Sequence, residues 1–304
     1  MIREDTNWPR ASSWLAGGAK KSGDGASLGV LGVPLNCSAG ASQFELAPAA
    51  IREALSNYSL HDSDAGIDLG RITVRDFGDV TLVGSSAEGN FFRCVDVMRR
   101  AHVGDATILL GGDNSVTRPG VHALGFPLER CGLLTLDAHH DVRDLDHGLT
   151  NGNPVRALLR DGLPGANIFQ LGIQPFTNST EYARVAHDEG INVITADQVY
   201  ADGIARVLRD ALSILSARVD AIYVDLDLDV LDRVFAPACP GSRPGGLQPW
   251  MVRQAARFCG AHERVRMIDL VEVDPTKDMA DATVLAAASF FLAFASGVAT
   301  RYAK

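Results

Sequence analysis

Cysteine is scarce in this chain, and its spacing argues against two classes of protein. The 304 residues contain five cysteines, Cys37, Cys94, Cys131, Cys239 and Cys259, and no CxxC pair. An odd count without paired spacing is not typical of the disulfide framework of a small secreted domain. The missing CxxC pair argues against a structural zinc site.

Positive charge and targeting segments are lacking as well. The 28 basic residues are outnumbered by 37 acidic ones, and the resulting net charge of −9 disfavours nucleic acids and anionic membranes as partners. Residues 1–5 (MIRED) lack the apolar core of a signal peptide. We expect the long uncharged run at residues 282–300 to be a buried C-terminal helix, because the rest of the chain is soluble in character. These absences favour a cytoplasmic protein that acts on a small molecule.

The chain does have a regular alternation of apolar runs and helical patterns. Eight apolar runs predict buried strands at residues 28–33, 72–76, 106–110, 132–137, 167–171, 192–195, 221–227 and 265–271. Helical patterns lie between them, for example at residues 48–57, 89–101, 179–189, 204–216 and 249–259. This alternation is typical of an α/β protein whose mostly parallel sheet is covered by helices on both faces. We predict an N-terminal arm or cap at residues 1–26 and one domain at residues 27–304.

Acidic residues and a histidine concentrate at the ends of two predicted strands. Asp137, His139 and Asp141 alternate after the first, and Asp227 and Asp229 alternate at the end of the second. A buried strand should not end in several acids unless a cation binds there. Carboxylates with imidazole suit a divalent ion such as Mn²⁺. The two runs together predict two adjacent metal ions at the strand ends, where parallel sheets bind their ligands.

Two further strand ends carry polar residues. Residues 111–115 (GGDNS) bring glycines after the strand at 106–110, but the Gly-Lys-Ser/Thr ending of a phosphate-binding loop is absent. Residues 271–275 (VEVDP) end another strand with Glu272, whose carboxylate could receive a cationic substrate group. Taken alone, each segment is equally compatible with an ordinary turn.

Together these four segments resemble the arginase, agmatinase and formimidoylglutamase superfamily of ureohydrolases. The family pattern is GGDHS, DAHxD, SxDxDxxDP and a VExNP-like strand end. This chain has GGDNS at 111–115, DAHHD at 137–141, DLDLDVLDR at 225–233 and VEVDP at 271–275. Residues 31–34 (LGVP) and 47–52 (APAAIR) resemble the family's first strand and first helix, and the resemblance covers roughly residues 28–300.

The resemblance implies a three-layer α/β/α sandwich with about eight strands, a binuclear Mn²⁺ cofactor and a homo-oligomer. The ligands would be the residue at the GGDH histidine position together with Asp137, His139, Asp141, Asp227 and Asp229. By the same resemblance, Asp137 and Asp227 would bridge the two ions.

Two positions depart from the pattern. Asn114 replaces the GGDH histidine, and an amide oxygen binds Mn²⁺ more weakly than imidazole, so we expect one weak metal site. Asn151 stands where arginases have a proton-shuttling histidine, and an amide cannot carry protons near pH 7.

The substrate branch is predicted from Arg143, Arg243 and Glu272. The sequence Asp141-Val142-Arg143 resembles the formimidoylglutamase branch, which also tends to lack the shuttle histidine. N-formimidoylglutamate carries one amidinium and two carboxylates. Arg143 and Arg243 could each bind a carboxylate bidentately, and Glu272 could receive the amidinium.

The predicted reaction is the hydrolysis of N-formimidoyl-L-glutamate to L-glutamate and formamide, as in histidine degradation. Asp141 is expected to carry a proton to the leaving amine, and Asn151 is expected to help bind the substrate. Two alternatives stay open. One is a guanidino-acid or agmatine-type hydrolase that releases urea. The other is a metal-poor, non-catalytic subunit of the same fold, which Asn114 favours.

A final expectation concerns Cys37 and Cys239. By the family resemblance, the loops that contain them flank the metal site. A reversible disulfide between them is one hypothesis, and the pattern favours the other, that they are two unrelated loop cysteines.

Overall fold

Eight of the strands form one sheet in which every pairing is parallel. The structure, a computed structural model, describes residues 5, 7–17, 25–38, 40–84 and 86–302. Its strands are β1 (Ser27–Val33), β2 (His61–Asp62), β3 (Ile67–Asp68), β4 (Thr73–Asp79), β5 (Ala106–Gly111), β6 (Cys131–Leu136), β7 (Ile168–Ile173), β8 (Asn192–Thr195), β9 (Ala221–Asp227) and β10 (Val265–Val271). The large sheet has the order β4-β1-β5-β10-β9-β6-β7-β8, and β2 and β3 form a small antiparallel hairpin.

Helices cover both faces of this sheet. They are α1 (Ala11–Gly17), α2 (Ala47–Ala54), α3 (Ala87–Ala101), α4 (Thr117–Ala123), α5 (Pro154–Asp161), α6 (Thr180–Asp188), α7 (Ala196–Asp202), α8 (Ile204–Ser216), α9 (Pro249–Ala261) and α10 (Ala282–Thr300). One apolar core lies between the sheet and α1, α2 and α7 to α10, and a second lies between the sheet and α3 to α6. Successive strand residues alternate between the two cores, as Leu133 and Leu134 do. The predicted three-layer α/β/α sandwich is confirmed.

Strand β4 extends beyond its predicted end because it lies at the edge of the sheet. The apolar run stops at Asp76, whereas the strand continues to Asp79. Arg52 of α2 donates to both carboxylates, at 2.8 and 2.9 Å from Asp76 and 2.6 Å from Asp79. An edge strand can therefore carry charged residues that the buried central strands exclude.

Helix α10 is long and apolar enough to cross a membrane, and it is the one helix of this kind within the described ranges. In the structure 67% of its most apolar 18-residue segment is buried inside the protein. Phe290, Phe291 and Phe294 are completely buried. The apolar length of α10 is thus used in packing, as expected for a core helix.

The predicted N-terminal arm contains a helix that packs on the core. In α1, Trp14 is 9% exposed and meets the ring of Phe291 edge-on, with ring centroids 6.4 Å apart. The backbone N–H of Ala11 donates to the carbonyl of Tyr58 at 3.0 Å. Residues 1–4, 6 and 18–24 of the predicted arm lie outside the described residues. The described helix is attached to the domain, and the division at residue 26 stays a prediction.

Candidate active site

The predicted site residues come from four strands that are neighbours in the centre of the sheet. Strands β5, β10, β9 and β6 lie side by side and point in the same direction. Their carboxyl ends therefore meet at one edge of the sheet. The residues brought to this edge are Asn114 after β5, Glu272 after β10, Asp227 and Asp229 at the end of β9, and Asp137, His139 and Asp141 after β6.

His139 lies between two of the acids. Its Nδ1 is 2.9 Å from Oδ2 of Asp229 and 3.5 Å from Oδ1 of Asp137. Ligand atoms of these three residues all lie within 4.8 Å of one another, and the two acids are nearly completely buried. This is the compact group of oxygen and nitrogen donors that a metal ion requires.

The charges of this trio are strongly coupled. Burial alone would lower the pKa of His139, but Asp229 and Asp137 raise it to about 12. Burial raises the pKa of Asp229, but the closer His139 cation outweighs burial and leaves that pKa below its usual value. Burial and the charge of Asp229 raise the pKa of Asp137 to about 7. Two carboxylates thus share one imidazolium, and the trio has less positive than negative charge when both acids are ionised.

Asp141 and Asp227 increase this shortage of positive charge. Burial and the charge of Asp137 raise the pKa of Asp141 well above its ordinary value, and burial and Asp229 do the same for Asp227. A bound cation would favour the ionised forms of these carboxylates. The donor set, mostly carboxylate oxygen with one imidazole, fits a divalent ion of the Mn²⁺ type.

Asn114 is buried beneath the acids, and its amide faces Asp141. The Nδ2 group donates to Oδ2 of Asp141 at 2.5 Å, and Oδ1 accepts from Oγ1 of Thr117 at 2.6 Å. In this orientation Asn114 is a hydrogen-bond donor to the predicted ligand Asp141. Its role as a weak metal ligand stays a prediction.

Glu272 is fixed by two hydrogen bonds to its Oε1. The backbone N–H of Asn114 donates at 2.8 Å, and Nδ2 of Asn151 donates at 3.0 Å. Burial and the charge of Asp113 raise the pKa of Glu272 to about 8, whereas these two donors lower it. Asn151, at the arginase shuttle position, therefore orients an acid of the site.

Two site residues have an unusual backbone. Asp141 has φ of 52° and Glu272 has φ of 67°, both in the left-handed region that glycine favours. Such a conformation costs about 1–2 kcal/mol per residue and commonly occurs at functional sites.

A cavity of about 450 Å³ opens onto the acids. Its lining includes most of the predicted site residues, namely His139, Asp141, Arg143, Asn151, Asp227, Asp229, Arg243 and Glu272. Asp137 and Asn114 lie below this lining, each 1% exposed. The cavity therefore combines a cation-binding floor with two arginines.

The two arginines are held differently. Nη1 of Arg243 donates to the carbonyls of Pro240, Gly241 and Ser242 at 2.9 to 3.0 Å, which leaves its other nitrogens available. The guanidinium of Arg143 has no hydrogen bond or ion pair to any described residue. Both side chains line the cavity, so both can reach an anionic ligand within it.

The loop after β7 also contributes to the site, and sequence reasoning missed it. Asn178 accepts from the backbone N–H of His140 at 2.9 Å and donates to the carbonyl of Ala138 at 3.1 Å, so it supports the 137–141 run. Together with Thr177 and Tyr182 it lines an adjoining cavity of about 320 Å³. The position of this loop at a strand's carboxyl end was the available signal.

The predicted bond between Cys37 and Cys239 stays a prediction, and the structure shows the surroundings of the two side chains. Cys239 is completely buried, and burial and Asp229 raise its pKa. Burial and the charge of Asp113 raise the pKa of Cys37 to about 11. The two sulfurs thus have different surroundings, and reversible formation of the bond stays a prediction.

Comparison with known proteins identifies the family of this chain. The model of the arginase family matches residues 26–296. The chain therefore belongs to the arginase family. It is 36% identical over 276 residues to the formimidoylglutamase of Halalkalibacterium halodurans, a match that covers 89% of this chain and 86% of the relative.

Solved structures show the same architecture. The crystal structure of formimidoylglutamase from Bacillus subtilis has a TM-score of 0.89 and 30% identity, with 98% of this chain and 94% of that chain covered. The crystal structure of Trypanosoma cruzi formiminoglutamase with Mn²⁺ has a TM-score of 0.85, with 97% and 100% covered. At 23% identity, this second likeness shows the fold alone.

Proposed function

We propose that this protein is a Mn²⁺-dependent hydrolase that converts N-formimidoyl-L-glutamate to L-glutamate and formamide. One observation carries the proposal: the acid and histidine cluster and two arginines, Arg143 and Arg243, line one cavity. An amidinium with two carboxylates matches a site with acids on its floor and guanidinium groups at its sides. The 36% identity to a formimidoylglutamase supports the same substrate.

Two metal ions would be held by Asp137, His139, Asp141, Asp227 and Asp229, with Asn114 as a weak further ligand. When bound, such ions lower the pKa of water and so supply a nucleophile at neutral pH. The donor set and the shortage of positive charge among the buried acids support this assignment.

The protein's own residues would bind and orient the substrate. Glu272 accepts hydrogen bonds from the amidinium nitrogens, and Asn151 holds the Glu272 carboxylate in place. Arg143 and Arg243 bind the carboxylates, which fixes the formimidoyl carbon over the acids. A cationic amidinium beside Glu272 would itself favour the ionised carboxylate, despite a pKa of about 8 in the free site.

Asp141 is the proposed proton carrier of the reaction. The oxygen of water adds to the formimidoyl carbon, and the bond from that carbon to the α-nitrogen breaks. Asp141 accepts the two protons of the attacking water in turn and delivers both to the α-nitrogen, which departs as the ammonium of glutamate while the added oxygen becomes the carbonyl of formamide. Its Oδ2 is held by Asn114, so the carboxylate has a fixed orientation during this transfer.

The proposal includes a cytoplasmic homo-oligomer. Cys94, Cys131, Cys239 and Cys259 are buried free thiols, which is typical of a reducing compartment. Large apolar side chains at the surface, among them Phe92 (82% exposed) and Val234 (71% exposed), favour contacts between copies. Light scattering of the purified protein measures the assembly size, and a monomer at all concentrations contradicts this part.

The test is a product assay with Mn²⁺-loaded protein. N-formimidoyl-L-glutamate, agmatine, 4-guanidinobutyrate and 3-guanidinopropionate are supplied separately, and formamide, ammonia and urea are measured for each. We expect formamide and glutamate in equal amounts from the first substrate only. Urea from a guanidino compound would favour the alternative ureohydrolase. No turnover of any substrate at full metal loading would favour the non-catalytic subunit.

A further inference from the structure

Gly152 lies directly against the side chain of Arg143. A Cβ atom on Gly152 would lie 2.8 Å from Cδ and 2.9 Å from Nε of Arg143, closer than real Cβ contacts allow. The two backbones are joined as well, since the N–H of Arg143 donates to the carbonyl of Gly152 at 3.1 Å. The side chain of Arg143 therefore packs directly on the backbone of Gly152, in space that any side chain at residue 152 would occupy.

The glycine is not required by its backbone conformation. The glycines with positive φ in the described chain include Gly148 and Gly162 on either side, but not Gly152. Alanine at 152 is thus compatible with the backbone conformation. Its methyl group would instead occupy the space in which the Arg143 side chain lies.

The loop that contains Gly152 is held in place by hydrogen bonds of its neighbouring residues. Asn153 is 2% exposed, and its Nδ2 donates to the carbonyls of Asp144 at 2.9 Å and Gly148 at 3.0 Å. Its Oδ1 accepts from the N–H of Thr150 at 2.8 Å. On the other side, Asn151 is bonded to Glu272. A new methyl group at 152 would therefore displace the flexible arginine rather than the loop.

Arg143 lacks any other fixed point. No described residue makes a hydrogen bond or ion pair with its guanidinium, and it lines both the 450 Å³ cavity over the acids and the adjoining 320 Å³ cavity beside Tyr182. Gly152 also lines both cavities. The position of the guanidinium at this junction is thus set by packing on Gly152.

We propose that Gly152 is a positioning residue, which holds Arg143 where it binds a carboxylate of the substrate. The inference rests on the proposed function and adds the residue that sets the place of its carboxylate contact. Gly152 acts through Arg143 alone. Its replacement by alanine should therefore impair carboxylate recognition and leave metal binding and the hydrolytic step intact.

The experiment is a double-mutant cycle on the Mn²⁺-loaded enzyme. We measure KM and kcat for N-formimidoyl-L-glutamate with Gly152→Ala, Arg143→Ala and the double variant. Gly152→Ala should raise KM about tenfold with kcat within about twofold, as for a lost charge-assisted hydrogen bond that serves mainly binding. The double variant should match Arg143→Ala, because an arginine that is already absent cannot be displaced.

Two substrate analogues add a second readout. N-formimidoylglycine lacks the distal carboxylate, and N-formimidoyl-4-aminobutyrate lacks the α-carboxylate. Whichever carboxylate Arg143 binds, the analogue without it should be hydrolysed equally well by wild type, Gly152→Ala and Arg143→Ala. Gly89→Ala is the matched control, because a Cβ there meets only Ser86 at ordinary distances of 3.6 and 3.7 Å.

Each failure has its own signature. If wild type turns over the substrate but Gly152→Ala is unchanged, or its effect adds to that of Arg143→Ala, the positioning role is wrong. If Gly152→Ala does not fold, Arg143→Ala in the same chain should restore folding, and a double variant that still fails overturns the inference. Absence of turnover by the wild type identifies a failure of the proposed function, and the positioning role falls with it.

Discussion

Asn114 and Asp141 are joined by a hydrogen bond of 2.5 Å, in which the amide donates and the carboxylate accepts. The amide oxygen is directed away, toward Oγ1 of Thr117. Asparagine therefore orients a predicted ligand of the metal site from the position at which the family pattern has a histidine.

Replacing this asparagine should strengthen metal binding. We expect Asn114→His to raise the affinity for Mn²⁺ about tenfold or more, because imidazole is a better ligand than a neutral amide. Elemental analysis of the purified proteins and calorimetric titration with Mn²⁺ measure the change. Two tightly held ions in the unmodified protein, with no gain in the variant, would contradict the ligand assignment.

Removing Arg143 should affect the substrate and not the fold. Its side chain is exposed and has no described partner, so Arg143→Ala should change the free energy of unfolding by no more than about 0.5 kcal/mol. KM for the dicarboxylate substrate should rise at least tenfold, roughly the value of one charged hydrogen bond. Arg209→Ala, on the exposed face of α8, is the control. Unfolding or loss of Mn²⁺ in Arg143→Ala would show that the side chain has a structural role.

The hydrogen bond from Asn151 to Glu272 should appear in the pH profile of the enzyme. This donor favours the ionised carboxylate and lowers its pKa, so Asn151→Ala should raise that pKa. Glu272 must be ionised to receive the amidinium, so the acidic limb of kcat/KM should move to higher pH. The measurement is the pH profile of kcat/KM for wild type and Asn151→Ala between pH 5 and 10. If the acidic limbs of the two profiles coincide, ionisation of Glu272 does not control activity.

The metal-free protein should lose stability as the pH rises. The folded-state pKa values of Asp137, about 7, and Glu272, about 8, exceed the ordinary values of 3.8 and 4.5. The folded state therefore holds protons that the unfolded state releases, and this stabilisation is complete below about pH 4 and is lost as the pH passes 7 to 8. In the presence of a chelator, the urea midpoint should be lower at pH 9 than at pH 6. Asp137→Asn with Glu272→Gln should flatten this dependence, and an unchanged or rising midpoint in the wild type would refute it.

The fold was predictable because its central strands are buried on both faces. A strand such as β6 (Cys131–Leu136) is completely buried, so its sequence is apolar except for Thr135 and its bounds were predicted to within one residue. Strand β4 was predicted too short, since Asp76 and Asp79 are charged residues within a strand and are paired to Arg52 from another element. The helix around Trp14 was hidden in a polar segment, because its packing partner Phe291 is far away in the sequence.

Residues of the candidate site that follow the same strand could be predicted to lie together, but contacts between residues of different strands could not. Motif spacing places His139 near Asp137, but the 2.9 Å contact of His139 with Asp229 depends on β6 lying beside β9. Strand order is set by long-range packing, and the alternation of strands and helices does not encode it. For the same reason, the contribution of Tyr182 to the adjoining cavity was not predicted.

The left-handed backbone of Asp141 and Glu272 has an implication for directed evolution. In the metal-free chain, glycine at such a position would relieve roughly 1–2 kcal/mol of backbone strain and the repulsion between neighbouring buried acids, so substitutions there are a route to higher heat resistance. The same substitutions would remove the proposed proton carrier or the proposed amidinium acceptor. A selection for thermal resistance of the metal-free chain alone would therefore enrich inactive clones at these two codons, whereas a selection that also demands turnover would leave both unchanged.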